Sequence, residues 1–231
     1  MTHADTLAQD LETGGYAVLP GLLDADWIER LKREEARFAG ETPRPLGVQL
    51  QLADRSAVIR EFIERGPQIP FVIAALGPDV CFTHQQYITK HPDEKRRTEI
   101  PWHQDNGYGR LEPPLDLTVW VTLDDCDETN GCLWVIPRSQ EQGLLPHAMR
   151  HGLMAAEVEG DGVALPLRAG DAVVFGSLLL HRSLPNNTDQ PRVAMYVRYC
   201  HPSVTMVTEG NRSVLEDPRS WMVAGEANLP A

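Results

Sequence analysis

His103, Asp105 and His181 are the residues of this 231-residue chain whose types and spacing reach furthest toward chemistry. Two histidines and one carboxylate can occupy one face of an Fe(II) ion and leave the opposite face open, the arrangement with which non-haem oxygenases activate dioxygen. His103 and Asp105 stand in IPWHQDNGY. In an extended segment side chains two apart share a face, so both reach one ion while Gln104 points away. His-x-Asp is a frequent tripeptide, and the chain repeats it at His3/Asp5 and His91/Asp93. The first lies in an N-terminal tail expected to be poorly ordered. The second opens the charged run KHPDEKRRTE, where Pro92 opposes regular strand pairing. Both read as solvated polar residues.

The remaining ligand must come from His84, His147, His151, His181 or His201. His181 is favoured because it closes GDAVVFGSLLLH, a run with the β-branched and apolar content of a buried strand, followed by a Pro- and Asn-containing turn and a new strand from Arg192. Arg192 lies eleven residues after His181, and the same spacing joins His201 to Arg212. Arg212 sits in the turn-like stretch EGNRS, with no strand to aim it inward. A planar guanidinium offers a bidentate fork to the far carboxylate of a 2-oxo dicarboxylate co-substrate chelating the metal. Ser183, two residues after His181, shares its strand face and adds a hydroxyl donor. The opposing reading of Arg192 is a surface residue paired with Asp189 or Asp217.

Elements that would position these groups follow from periodicity. Gly15 to Leu23 reads as a strand, and Asp24 or Asp26 caps a helix to about Phe38 with Trp27, Ile28, Leu31 and Phe38 on its apolar side. Ala57 to Arg65 reads as a second helix. After Pro78 come short strands broken by Gly, Pro and Asn turns: Val80 to Thr89, Leu117 to Leu123, Cys132 to Ile136, Val163 to Leu167, Asp171 to Phe175 and Arg192 to Tyr199. Such spacing predicts a mainly β sandwich or jelly roll with flanking helices, in a single domain over residues 1–231. Trp120 and Trp134 read as core residues. Asn106 and Tyr108, directly after the metal segment, are candidate substrate contacts. Arg198 has the strand parity of Arg192, and if it faces the interior it needs an anionic partner, the substrate being one candidate.

GYAVLPGLLDADWIERLK, PWHQD, VWVTLDDCDETNGCLWVIPRSQ, AGDAVVFGSLLLHRS and Arg192, in that order from about Gly15 to about Tyr199, resemble the phytanoyl-CoA dioxygenase family, whose relatives include the ectoine hydroxylases. The resemblance implies a double-stranded β-helix of the cupin kind carrying an Fe(II)- and 2-oxoglutarate-dependent oxygenase. It implies His103, Asp105 and His181 as iron ligands, Arg192 and Ser183 as the 2-oxoglutarate anchor, and Gln86 as a further co-substrate contact. The expected reaction hydroxylates an unactivated C–H bond with release of succinate and CO2. Asp105, absent from halogenating relatives, points to oxygen transfer. One departure is Pro137-Arg138-Ser139-Gln140, where the family usually ends in Gly, Ser and His. The alternative from another class is a non-catalytic jelly-roll protein that binds a metal or ligand.

Composition agrees with a compact globular chain, 42% hydrophobic and 23% charged, without an apolar run long enough to span a bilayer. The start, MTHADTLAQDLETGG, does not resemble a signal peptide. Cys81, Cys126, Cys132 and Cys200 form no Cys-x-x-Cys pair and read as reduced structural thiols of a cytoplasmic protein. A net charge of −12 argues against nucleic-acid binding. The partners expected are O2 and a small or medium-sized metabolite. An acyl-CoA is not expected, since its phosphates call for basic groups and the densest basic run, Lys90 to Arg97, is interrupted by Asp93 and Glu94. That run reads as a mobile solvated loop, with a lid over the metal strand as its functional alternative. The sequence carries no signal for an oligomeric state.

Overall fold

The computed structural model describes residues 3–40, 45–93, 95, 97–207 and 221–225. The N-terminal half carries α1 (His3–Gly14), β1 (Tyr16–Leu19), α2 (Ala25–Ala39), β2 (Leu46–Leu50), α3 (Ala57–Arg65), α4 (Ile69–Leu76), β3 (Val80–Lys90), β4 (Ile100–His103), β5 (Arg110–Glu112) and β6 (Asp116–Thr122). There follow β7 (Leu133–Val135), β8 (His147–Arg150), β9 (Leu153–Ala156), β10 (Val163–Leu165), β11 (Ala172–Phe175), β12 (His181–Ser183), β13 (Arg192–Cys200), β14 (Thr205–Val207) and β15 (Met222–Ala224). The larger sheet runs β1-β11-β6-β13-β3-β15, with β2 also paired to β3, and the smaller runs β10-β7-β12-β4. All these pairings are antiparallel. This is the mainly β jelly roll with flanking helices that the strand spacing predicts.

Period-two alternation assigns each face of the larger sheet a partner. Leu117, Val119 and Val121 of β6, with Val193, Met195, Val197 and Tyr199 of β13, pack with Leu31 and Phe38 of α2 and Ile59, Phe62 and Ile63 of α3. The intervening residues face the smaller sheet: Trp120, Val173, Phe175 and Ala194 join Leu133, Val135 and Leu165 in a second cluster. The helices therefore back the larger sheet, and the space between the sheets is left for the site. Asp24 caps α2 by accepting from the Trp27 N–H, and Ser56 caps α3 by accepting from that of Ile59.

Four differences from the sequence expectations have local causes. His3–Gly14 is a helix and not a loose tail. Ile69–Leu76 is a helix whose almost unbroken apolar run hides any helical period. β2 and the β8–β9 hairpin escape a reading tuned to long apolar strands. The solvated-loop expectation fails at Lys90 and Asp93, both buried, because the Asp93 carboxylate accepts from the backbone N–H groups of Thr98 and Lys95 and from Arg97 Nε. Glu94 and Arg96 lie outside the described residues, as do Arg212 and Asp217. The four cysteines are buried thiols. Among the described residues no helix is long and apolar enough to cross a membrane.

Candidate metal centre

Strand pairing brings the two histidines together. His103 ends β4 and His181 begins β12, and the two are register partners in the smaller sheet. Asp105 opens a 3-10 turn, Asp105–Gly107, directly after β4. Its Oδ1 lies 3.9 Å from His103 Nε2 and 3.6 Å from His181 Nε2. One ligand atom from each of the three residues fits within 4.8 Å of the others. His103 Nδ1 is 2.9 Å from the Pro101 carbonyl and His181 Nδ1 is 3.0 Å from that of Leu179. A carbonyl only accepts, so each Nδ1 carries the hydrogen and each Nε2 keeps its lone pair toward Asp105. Asp105 Oδ2 accepts the Thr118 hydroxyl at 2.8 Å.

The electrostatics suit a cation. Burial, then the neighbouring His181, holds the His103 pKa well below its ordinary value, so the ring is a neutral donor. Burial opposes ionisation of Asp105, but His181, Arg198, His103 and the Thr118 hydroxyl outweigh it and keep the carboxyl below its usual range. His147, a candidate ligand by sequence, is committed elsewhere: its Nε2 accepts from the Gln104 N–H at 3.0 Å and its Nδ1 faces the Leu145 carbonyl at 2.8 Å. Gln104 indeed points away from the triad, its side chain bonded to Gly143, Leu145 and Leu178.

Arg192 is 1% exposed, so it is not a surface residue. Its Nη2 donates to the Gly131 carbonyl at 2.6 Å, while Nε and Nη1 are buried without a partner. Leaving two guanidinium donors dry and unpaired is costly; Nε and Nη1 lie on different edges of the guanidinium, so a ligand carboxylate would engage one of them together with Nη2. The donor set thus fits Fe(II) at the triad and a dicarboxylate reaching Arg192. Gly131 is required here: its φ is +84°, and a Cβ would meet the Leu184 carbonyl oxygen at 2.4 Å. Sequence reasoning missed Lys90, the register partner of Arg192, whose buried Nζ donates to the carbonyls of Ser183 at 3.0 Å and Leu184 at 2.6 Å. It holds the turn after His181. The signal available was its place at the end of the long strand β3.

A cavity of about 730 Å³ opens between the sheets, lined by the triad together with Gln86, Tyr108, Ser183 and Trp120. Trp120, expected only as core, also lies under the Arg192 guanidinium, 5.6 Å from its ring centre. Gln86 Oε1 accepts the Tyr196 hydroxyl at 3.2 Å. The Tyr108 ring stands edge-on to His103 at 5.5 Å. Arg198 does face the interior, but its anionic partner is Asp116, at 2.7 Å from Nε, and Nη2 donates to Asn106 at 2.9 Å. Asn106 in turn is bonded to both backbone groups of Leu111. Asn106 and Arg198 therefore line the cavity with their bonds largely spent on the protein. In the departing loop, Ser139 Oγ accepts from the Leu180 N–H at 2.8 Å and steadies the residue before His181.

Facing sheets of a jelly roll that present two histidines, one carboxylate and a buried unpaired arginine define the frame of a mononuclear non-haem iron protein. A family model described as phytanoyl-CoA dioxygenase matches residues 11–194, and the chain belongs to that family. Mouse peroxisomal phytanoyl-CoA dioxygenase is 29% identical over 223 residues, covering 82% of this chain and 65% of the relative. The chain thus spans about two thirds of the length of that relative. A methylphosphonate hydroxylase of Gimesia maris is 35% identical over 205 residues, covering 80% and 76%. The fold is shared with the epimerase SnoN of nogalamycin biosynthesis, solved with Fe3+, α-ketoglutarate and nogalamycin RO, at a TM-score of 0.75, 20% identity and 92% coverage of both chains. It is also shared with the non-haem monooxygenase ThoJ, at a TM-score of 0.78, 22% identity and coverage of 95% and 84%.

Proposed function

We propose that this chain is an Fe(II)- and 2-oxoglutarate-dependent oxygenase of a single domain. It hydroxylates an unactivated C–H bond of a small or medium-sized metabolite, other than an acyl-CoA, with release of succinate and CO2. The observation that carries this reading is the convergence of the His103/Asp105/His181 ligand atoms, with the unpaired donors of Arg192 buried against Trp120, a residue that lines the same cavity as the triad. Family membership and the hydroxylase from Gimesia maris support it.

Fe(II) with 2-oxoglutarate supplies, when bound, activation of O2 and oxidation of a substrate C–H bond. The chain's own part is positional. His103 and His181 present Nε2 lone pairs because backbone carbonyls hold their Nδ1 hydrogens. Thr118 turns Asp105 so that Oδ1 faces both rings. Arg192 would take the far carboxylate of 2-oxoglutarate, with Gln86 on the neighbouring strand of the same sheet and Ser183 on the opposite sheet. Apolar walls exclude water from the reacting centre. The buried thiols support a reducing compartment, the cytoplasm.

The test is succinate formation in air from purified protein, Fe(II) and 2-oxoglutarate, with and without a panel of metabolites. Metabolite-stimulated succinate with a hydroxylated product is expected. Absence of any 2-oxoglutarate consumption would favour a non-catalytic binder.

A further inference from the structure

The cavity is larger than a five-carbon dicarboxylate needs, and its free groups restrict what else it takes. Val48, Leu50, Ile88, Leu144, Met154 and Met206 form apolar wall on several sides. At the mouth Leu50 and Leu144 are 49% and 39% exposed, an apolar rim in contact with water. Among the described residues, the charged lining residues besides the ligand Asp105 are held away from the cavity interior: Arg198 is paired with Asp116, Arg110 with Glu112, and Arg182, adjacent to His181 on β12 and so on the other face of that strand, stacks on Trp102 and Trp134 and donates to the Asp161 carbonyl, its Nε buried without a partner. Among the described residues no lining arginine therefore presents an unpaired guanidinium to the cavity interior for a second anion once Arg192 holds its carboxylate.

Among the lining histidines of the described residues, one ring nitrogen stands open. Four histidines line the cavity: His84, His103, His147 and His181. The triad pair and His147 have both ring nitrogens engaged. His84 Nε2 faces Gln86 Oε1 at 3.5 Å, an oxygen that already accepts from Tyr196 and can only accept again. The hydrogen of His84 therefore sits on Nε2, and Nδ1 is a lone-pair acceptor with no partner among the described residues. Burial lowers the His84 pKa from its ordinary value, so the ring is neutral at neutral pH.

We propose that the primary substrate is an uncharged molecule with a mainly apolar body, held by the Leu50, Leu144 and Met154 walls, that donates a hydroxyl or N–H hydrogen to His84 Nδ1. This rests on the oxygenase reading and narrows it. It sets this chain apart from relatives acting on phosphonates or CoA thioesters, whose substrates bring anionic groups.

The experiment uses protein loaded anaerobically with Fe(II) and 2-oxoglutarate, and reads the fluorescence of the neutral apolar dye N-phenyl-1-naphthylamine. Saturable binding is expected, weakened roughly 5-fold by Leu50→Arg, a substitution at a half-exposed rim position. 1-Naphthol should displace the dye roughly 3- to 10-fold more tightly than naphthalene, and His84→Phe should erase that preference. Methylphosphonate and acetyl-CoA should not displace it. Displacement by either anion, or a naphthol preference intact in His84→Phe, overturns the inference. The visible band of the Fe(II)·2-oxoglutarate complex in the same samples separates the two readings: band present with anion displacement sinks the inference alone, and band absent sinks the oxygenase reading beneath it.

Discussion

Thr118 and Arg192 act on the site through single hydrogen-bonding groups, and each makes a measurable demand. Thr118→Val keeps the shape of the side chain but frees Asp105 Oδ2. Outer hydrogen bonds of this kind are worth about 10- to 100-fold in metal affinity, so anaerobic competition with a chelating dye should show Fe(II) binding weakened by that much. Unchanged affinity would remove Thr118 from the account. Arg192→Ala loses charged hydrogen bonds worth about 1.5 to 3 kcal/mol, which should raise the 2-oxoglutarate requirement roughly 10- to 150-fold while moving the substrate requirement less. A 2-oxoglutarate dependence that does not move would transfer the anchor to another arginine. His103, Asp105 and the parity of Arg192 with Arg198 were legible because period-two alternation needs only neighbours in sequence. Lys90 and Trp120 were not, since their work depends on Arg192 and the Ser183–Leu184 turn, which only the folded sheets bring to them.

The β4 segment and the β8–β9 hairpin are pressed together at Gly107, where a Cβ would come 2.4 Å from the His147 ring. Gly107→Ala should therefore push His147 off the Gln104 N–H and loosen the segment that carries both His103 and Asp105. Loss of Fe(II) affinity with little change in the far-ultraviolet spectrum is the expected pattern; a protein that binds iron as before would show that the hairpin does not brace the ligands. Phe62→Ala in α3 makes the converse case. Phe62 is fully buried behind the larger sheet, so its removal should cost about 3 to 5 kcal/mol in urea unfolding yet leave one iron per folded chain. α2 was readable from its cap and a helical period and α3 from its period, and the long strands from β-branched runs. α4 was not, because an almost wholly apolar helix has no period to detect. The hairpin was not, because its strands are short and β8 is mostly exposed.

Two antiparallel sheets divide the labour of the whole chain. The larger is stabilised from behind by the helices and presents Thr118, Trp120, Arg192 and Arg198 inward; the smaller contributes the histidines. Strand alternation already indicated that such a sandwich would form. Which histidine of one strand would meet that of another is a matter of register, and the sequence motifs could suggest it only through the position of His181 after its apolar run. The central claim is that His103, Asp105 and His181 form one Fe(II) site whose 2-oxoglutarate is anchored by Arg192. Its most direct test is anaerobic titration of Fe(II) into protein saturated with 2-oxoglutarate, following the weak visible charge-transfer band. The unaltered chain should saturate at one Fe(II), and the His103→Ala, His181→Ala double variant should give no band at the same concentrations; tight iron binding with the same band in that variant would contradict the assignment.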